Sequence, residues 1–106
     1  MPLHVHHSED EAMYILEGEY EIQCGNQLVN ATPGTFVFLP RHVPNSYRNI
    51  TDSPATFLYI TSPGGFERFI EQVDLISKSG SPDMDKMVKA AREHGIEFLY
   101  KANPGE

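Results

Sequence analysis

Residues 4–18 read His4-Val5-His6-His7-Ser8-Glu9-Asp10-Glu11-Ala12-Met13-Tyr14-Ile15-Leu16-Glu17-Gly18. On a strand, residues i and i+2 face the same side, so His4 and His6 project together. Ser8, Glu9 and Asp10 make a tight, solvated turn, and Glu11 begins a second strand. An antiparallel neighbour then presents Glu11 directly across from the histidine pair. Two imidazoles and a carboxylate meeting at a point form a facial triad that suits Fe(II), and also Mn, Ni or Zn. Such ligands bind as neutral His and ionised Glu, with positions left open for substrate or oxygen. His7 is out of phase and points away from the pocket. Glu9 or Asp10 replaces Glu11 as ligand only if the turn is shaped differently.

Outward from this stretch, short strands alternate with turns. In residues 18–24, Tyr20, Ile22 and Cys24 alternate with polar neighbours, a period of two. QLVNA (27–31), TFVFL (35–39), NSYRNI (45–50) and ATFLYITS (55–62) follow, separated by Gly25-Asn26, Pro33-Gly34, Pro40 and Thr51-Asp52-Ser53-Pro54. Short strands at close spacing point to a sandwich or small barrel. After Pro63 the period becomes helical. Phe66, Phe69, Ile70 and Val73 form one apolar stripe, and Met84, Met87, Val88 and Ala91 form a second that packs on the barrel. The second helix has Ser81 as N-cap, Pro82 at its first position and Gly95 as its stop. His94, at the polar end of that helix, is assigned no chemistry. The organisation is one domain: a barrel over 1–63 with a helical tail over 64–106 packed on it.

The chain has 106 residues, a formal charge of -7 and 22% charged residues. An acidic chain without a basic cluster is a poor partner for nucleic acid or anionic membrane. Nothing approaches a membrane-spanning apolar run, and MPLHVHH has no features of a secretory signal. The single cysteine, Cys24, excludes an internal disulfide and suits a reducing, cytoplasmic setting. Beside Gly25, it reads as a packing residue rather than a catalytic thiol.

HxH alone is weak evidence, because paired histidines are common on surfaces and in cores. The order His4, His6, four residues, Glu11, six residues, Gly18 is far more specific. In it the chain resembles the cupin superfamily, whose first motif is G-x5-H-x-H-x3,4-E-x6-G. The second motif, G-x5-P-x-G-x2-H-x3-N, is matched at Gly34, Pro40 and Asn49. The run PGTFVFLPRHVPNSYRN and the tail EHGIEFL are similar to small single-domain cupins like quercetin dioxygenase. That resemblance implies an all-β jelly-roll barrel (a double-stranded β-helix) with two C-terminal helices, and often a homodimer. It also places Asn45 where the family has its fourth metal ligand, a His. Asn offers a weaker, neutral donor. His42 stands at the motif's Gly and would substitute as ligand only if its ring reached inward. The first motif's leading Gly falls before Met1, so the barrel looks shortened, with an edge that a second copy could cover.

Alternation fills in the pocket. Met13 and Ile15 share the face of Glu11, and Tyr47 shares that of Asn45. From the last strand, either Phe57, Tyr59 and Thr61 or Leu58 and Ile60 face inward, and the family pattern favours the first set. Such side chains suit a small-molecule site and equally the filling of a small barrel. Two functions follow. One is a metal-dependent enzyme, for example a dioxygenase of a small aromatic or enol substrate, with His4, His6, Glu11 and Asn45 around the metal and Glu11 also taking a proton. The other is a metal-poor or metal-free binding cupin, in which these groups hydrogen-bond a small ligand.

Overall fold

The eight-residue strand β2 (Asp10–Glu17) shows how the fold is built. Glu11, Met13 and Ile15 are buried on one face, while Tyr14 and Leu16 are exposed on the other. The structure, a computed structural model, describes residues 1–78, 80 and 83–99. Its other strands are β1 (His4–His6), β3 (Tyr20–Cys24), β4 (Gln27–Ala31), β5 (Phe36–Leu39), β6 (Asn45–Asn49), β7 (Thr56–Ser62) and β8 (Ile96–Phe98). The helices are α1 (Phe66–Lys78) and α2 (Met84–Glu93).

Two antiparallel sheets form the jelly roll, ordered β4-β3-β6-β1-β8 and β5-β2-β7. Met13, Ile15, Tyr20, Ile22, Ala31 and Leu39 pack together as the core cluster. Cys24 is a free thiol packed against this cluster, the role expected of it. Gly18 closes the β2–β3 turn at φ +86, where a Cβ would collide with Ala55. Only glycine satisfies both constraints.

Two expectations change. First, β1 and β2 are not ladder neighbours. β1 pairs with β6 and β8, and β2 with β5 and β7, so Glu11 meets the histidines across the gap between sheets. Second, residues 96–98 form a strand. The three residues were too short for a periodicity signal, yet they pair His4 with Phe98 and His6 with Ile96. The chain's own C-terminal segment thus lies along the outer side of β1, and the sheet ends at β8. No residue of α1 is fully buried, and its Phe66, Phe69, Ile70 and Val73 stripe lines a cavity.

The expected cap Ser81 and the following Pro82 lie outside the described residues. Asp83 caps α2, its Oδ1 accepting from the Lys86 N–H at 3.2 Å. In the second stripe Ala91 is buried, while Met84 is 60% exposed. Gly95, at φ +77, turns the chain from α2 into β8, and its carbonyl accepts from the His7 N–H at 2.7 Å. Among the described residues no helix is long and apolar enough to cross a membrane.

Candidate metal centre and its cavity

β1 contributes both imidazoles, and His4, Val5 and His6 are all buried. His4 Nδ1 is 2.8 Å from the Pro2 carbonyl. A carbonyl only accepts, so Nδ1 carries the proton and Nε2 keeps its lone pair. His6 Nδ1 is 3.2 Å from the Glu9 carboxylate, which sets the same tautomer when Glu9 is ionised. Glu9, expected in solvent, is in fact buried at 6% exposure. Such outer partners orient a ligating histidine and raise its basicity.

The bare Nε2 of His6 then faces Glu11 Oε1 at 3.1 Å. Two acceptors this close repel unless a proton or a cation lies between them. Donors at right angles on an ion with bonds of about 2.2 Å stand roughly 3.1 Å apart, so the spacing suits a metal. One ligand atom from each of His4, His6 and Glu11 lies within 4.8 Å of the others, and all three residues are buried. Burial shifts both groups toward neutrality. The His6 pKa is lowered to about 4, by desolvation first and by His7 second. Glu11 is raised to about 7, again by desolvation, against the hydrogen bond from Asn45. His4 is lowered chiefly by burial, with the Pro2 carbonyl opposing. The donor set therefore fits a divalent transition metal.

Asn45 pairs in register with His4 and is 1% exposed. Its Nδ2 points at Glu11 Oε1 over a long 3.5 Å, so in this arrangement it holds the carboxylate. Its buried Oδ1 has no partner among the described residues, leaving a spare oxygen donor beside the triad. His42 stays outside the centre. At φ +68 its exposed ring lies against His7, Nδ1 to Nδ1 at 2.9 Å. Asp10 pairs with Arg41 on the surface. His94 Nε2 lies 3.0 Å from Gln72 Oε1, and its ring packs on Phe69.

A cavity of about 360 Å³ opens on the histidines. His4, His6, Tyr47, Phe57 and Tyr59 are among the residues that line it. Met13 and Ile15 do not, because both are fully buried in the core cluster beside it. Glu11 and Asn45 are likewise absent from its lining. The rings run in edge contacts from Tyr47 to Phe57 at 5.5 Å, Phe57 to Tyr59 at 6.3 Å and Tyr59 to Phe66 at 5.4 Å. Phe66 in turn lies 5.7 Å from the His6 ring. No Lys, Arg, Asp or Glu side chain lines the cavity among the described residues.

The sequence reading missed Glu9, Phe66, Phe69 and Phe98 as parts of the site. The α1 stripe was visible, but nothing in it told which surface it would face. Nothing in the turn sequence marked Glu9 as buried.

Among solved structures, the chain is similar to TT1209 from Thermus thermophilus, at 36% identity and a TM-score of 0.56 over 59% of this chain and 60% of that one. It is also similar to KdgF from Halomonas sp., at 18% identity and a TM-score of 0.56 over 62% of this chain and 59% of that one. The matched part thus spans about 60% of each relative's length. No curated protein matches the chain. The cupin domain family matches residues 1–61, more than half of the chain and the part that carries the triad, so the chain belongs to the cupin family.

Proposed function

We propose that this cupin is a metal-dependent enzyme acting on a small aromatic or enolic molecule. One observation carries the reading: the buried His4, His6 and Glu11 bring one ligand atom each within 4.8 Å of one another, with His6 Nε2 3.1 Å from the Glu11 carboxylate, a spacing that a bound cation, or a shared proton in its absence, satisfies. His4, His6 and Glu11 are the ligands, and Asn45 holds Glu11 with its oxygen in reserve as a weak fourth donor. Bound there, Fe, Mn, Ni or Zn supplies Lewis-acid polarisation of the substrate's oxygen atoms. The two-histidine, one-carboxylate set is also that of oxygen-using Fe(II) sites, so dioxygenation is the reaction class we assign.

The chain's own groups do the rest. The aromatic walls at Tyr47, Phe57, Tyr59 and Phe66 take up a planar molecule and exclude water from the histidine end. Among the described residues the lining has no charged side chain, so an acidic oxygen of the ligand would find its counter-charge only at the metal. A cytoplasmic setting suits the free thiol of Cys24.

Asn45 favours a second reading, a cupin that binds its ligand with little metal and no turnover. The deciding experiment is elemental mass spectrometry on protein purified without an affinity tag or chelator. Near-stoichiometric Fe, Mn, Ni or Zn, lost in His4→Ala, supports the enzyme and leads to assays of oxygen uptake with hydroxylated aromatics. Metal far below one equivalent that soaking does not restore sinks it and leaves the binding module.

A further inference from the structure

The cavity at the triad changes character along its length. Beside the histidines it is walled by rings, with Phe66 at 5.7 Å from the His6 ring and Phe98 at 6.1 Å from that of His4. Past Phe69 the α1 stripe continues as Ile70 and Val73, and Met87 of α2 lines the same cavity. The helical rise sets Val73 about 10 Å further along the axis than Phe66. The two helices run in opposite directions, Gln72 meeting Glu93 and Ile76 sharing a groove with Lys86 and Lys89, which puts Met87 at the Val73 end. Among the described residues, α1 and α2 contribute only apolar side chains to the lining, and its polar groups come from the strands. The stripe is not satisfied by protein contacts: Ile70 is 52% exposed, and no residue of α1 is fully buried.

We infer that the substrate is an amphiphile, an enediol or catechol head at the triad joined to an aliphatic arm that lies along Ile70, Val73 and Met87. The head rests on the metal-dependent reading above, whereas the arm is argued from the far walls alone. Those walls offer no hydrogen bond, so a polar group placed there loses its water without compensation and an apolar one loses nothing. Branched and thioether side chains, unlike the rings around the head, adapt to a flexible chain. A head of ring size takes up about half of the roughly 10 Å, which leaves room for an arm of on the order of four carbons. The cavity volume of about 360 Å³ agrees, lying at the small end of the roughly 300–1,000 Å³ of ligand sites. An unsubstituted catechol leaves the α1 stripe in water. Each methylene that covers it gains about fourfold in affinity.

Isothermal titration calorimetry of the full chain with 4-alkylcatechols from methyl to octyl is the test, run on Zn(II)-loaded and on chelator-treated protein. The expected affinity rises about fourfold per methylene as far as butyl and then levels off. Val73→Trp, which fills the far end, should remove the gain between ethyl and butyl and leave methylcatechol binding as in the parent. Val73→Ala, which lengthens the cavity, should carry the rise further by about one carbon, and it keeps the test open if the larger side chain disturbs α1. Circular dichroism of each variant separates lost binding from lost fold. A series with no dependence on chain length overturns the inference, as does a plateau that neither folded variant moves. Failure of the metal reading looks different: the length dependence then persists and Zn(II) leaves every affinity unchanged. Zn(II)-dependent binding with no length dependence overturns the arm and spares the metal centre.

Discussion

His6 and Glu9 form a buried pair, with Nδ1 of the imidazole 3.2 Å from a carboxylate oxygen that the turn sequence alone placed in water. Desolvation raises the Glu9 pKa, with the charges of His94 and Arg41 opposing. The pair commits the Nδ1 proton of His6 to Glu9 and turns Nε2 toward Glu11.

Glu9→Leu should therefore weaken metal binding by roughly 10- to 100-fold, the usual cost of losing an outer partner of a ligating histidine. Glu9→Gln, which can still accept at its carbonyl oxygen, should recover much of that loss. Competition titration with Zn(II) measures both. Equal affinities for the Leu variant and the parent would show that Glu9 does not orient His6.

Glu11→Gln should abolish metal binding and yet stabilise the metal-free chain at alkaline pH. The folded-state pKa of Glu11 is raised to about 7 from 4.5, so its favourable contribution is full below 4.5 and is lost as pH rises to 7. The amide cannot ionise, and the variant should exceed the parent by on the order of 1–3 kcal/mol at pH 8, with the gap closing near pH 4.5. His6, lowered to about 4 from 6.5, contributes in the opposite direction, stability gained as pH rises between those values. That contribution is common to both proteins and largely cancels. Urea unfolding in chelator at pH 5 and pH 8 reads the difference, and a gap that does not grow with pH contradicts it.

Asn45→His places a third imidazole in register with His4. Imidazole is a far better donor than a carboxamide toward transition metals, so affinity for Ni(II) or Zn(II) should rise by about tenfold or more. Unchanged affinity would remove Asn45 from the fourth corner.

Gly95→Ala tests the C-terminal strand. At φ +77, with Ser8 against the site of a new Cβ, the substitution should cost about 1–3 kcal/mol and loosen β8 from β1. Chemical denaturation measures the loss, and amide exchange at residues 96–98 locates it. Parent-like values for both would mean that the turn tolerates a side chain.

Much of this protein was determined locally. The strands read from their period of two, the helices from the i, i+3, i+4 stripe, and the triad from two alternate histidines followed by Glu11 and Gly18 at fixed spacing. Cys24 as packing, and Tyr47, Phe57 and Tyr59 as cavity walls, followed from the same reasoning and the family resemblance. Side-chain direction along a strand is a local property, so sequence carries it. Which strand lies beside which is not local. Only the tertiary structure put β1 and β2 in opposite sheets, brought residues 96–98 back to cover the edge of β1, and buried Glu9 behind His6. It also separated Met13 and Ile15, which share a face with Glu11 but fill the core, from the α1 side chains that wall the cavity. A three-residue strand and a buried turn carboxylate have no periodicity of their own. Contacts with distant parts of the chain stabilise them, and those exist only once the sheets have closed.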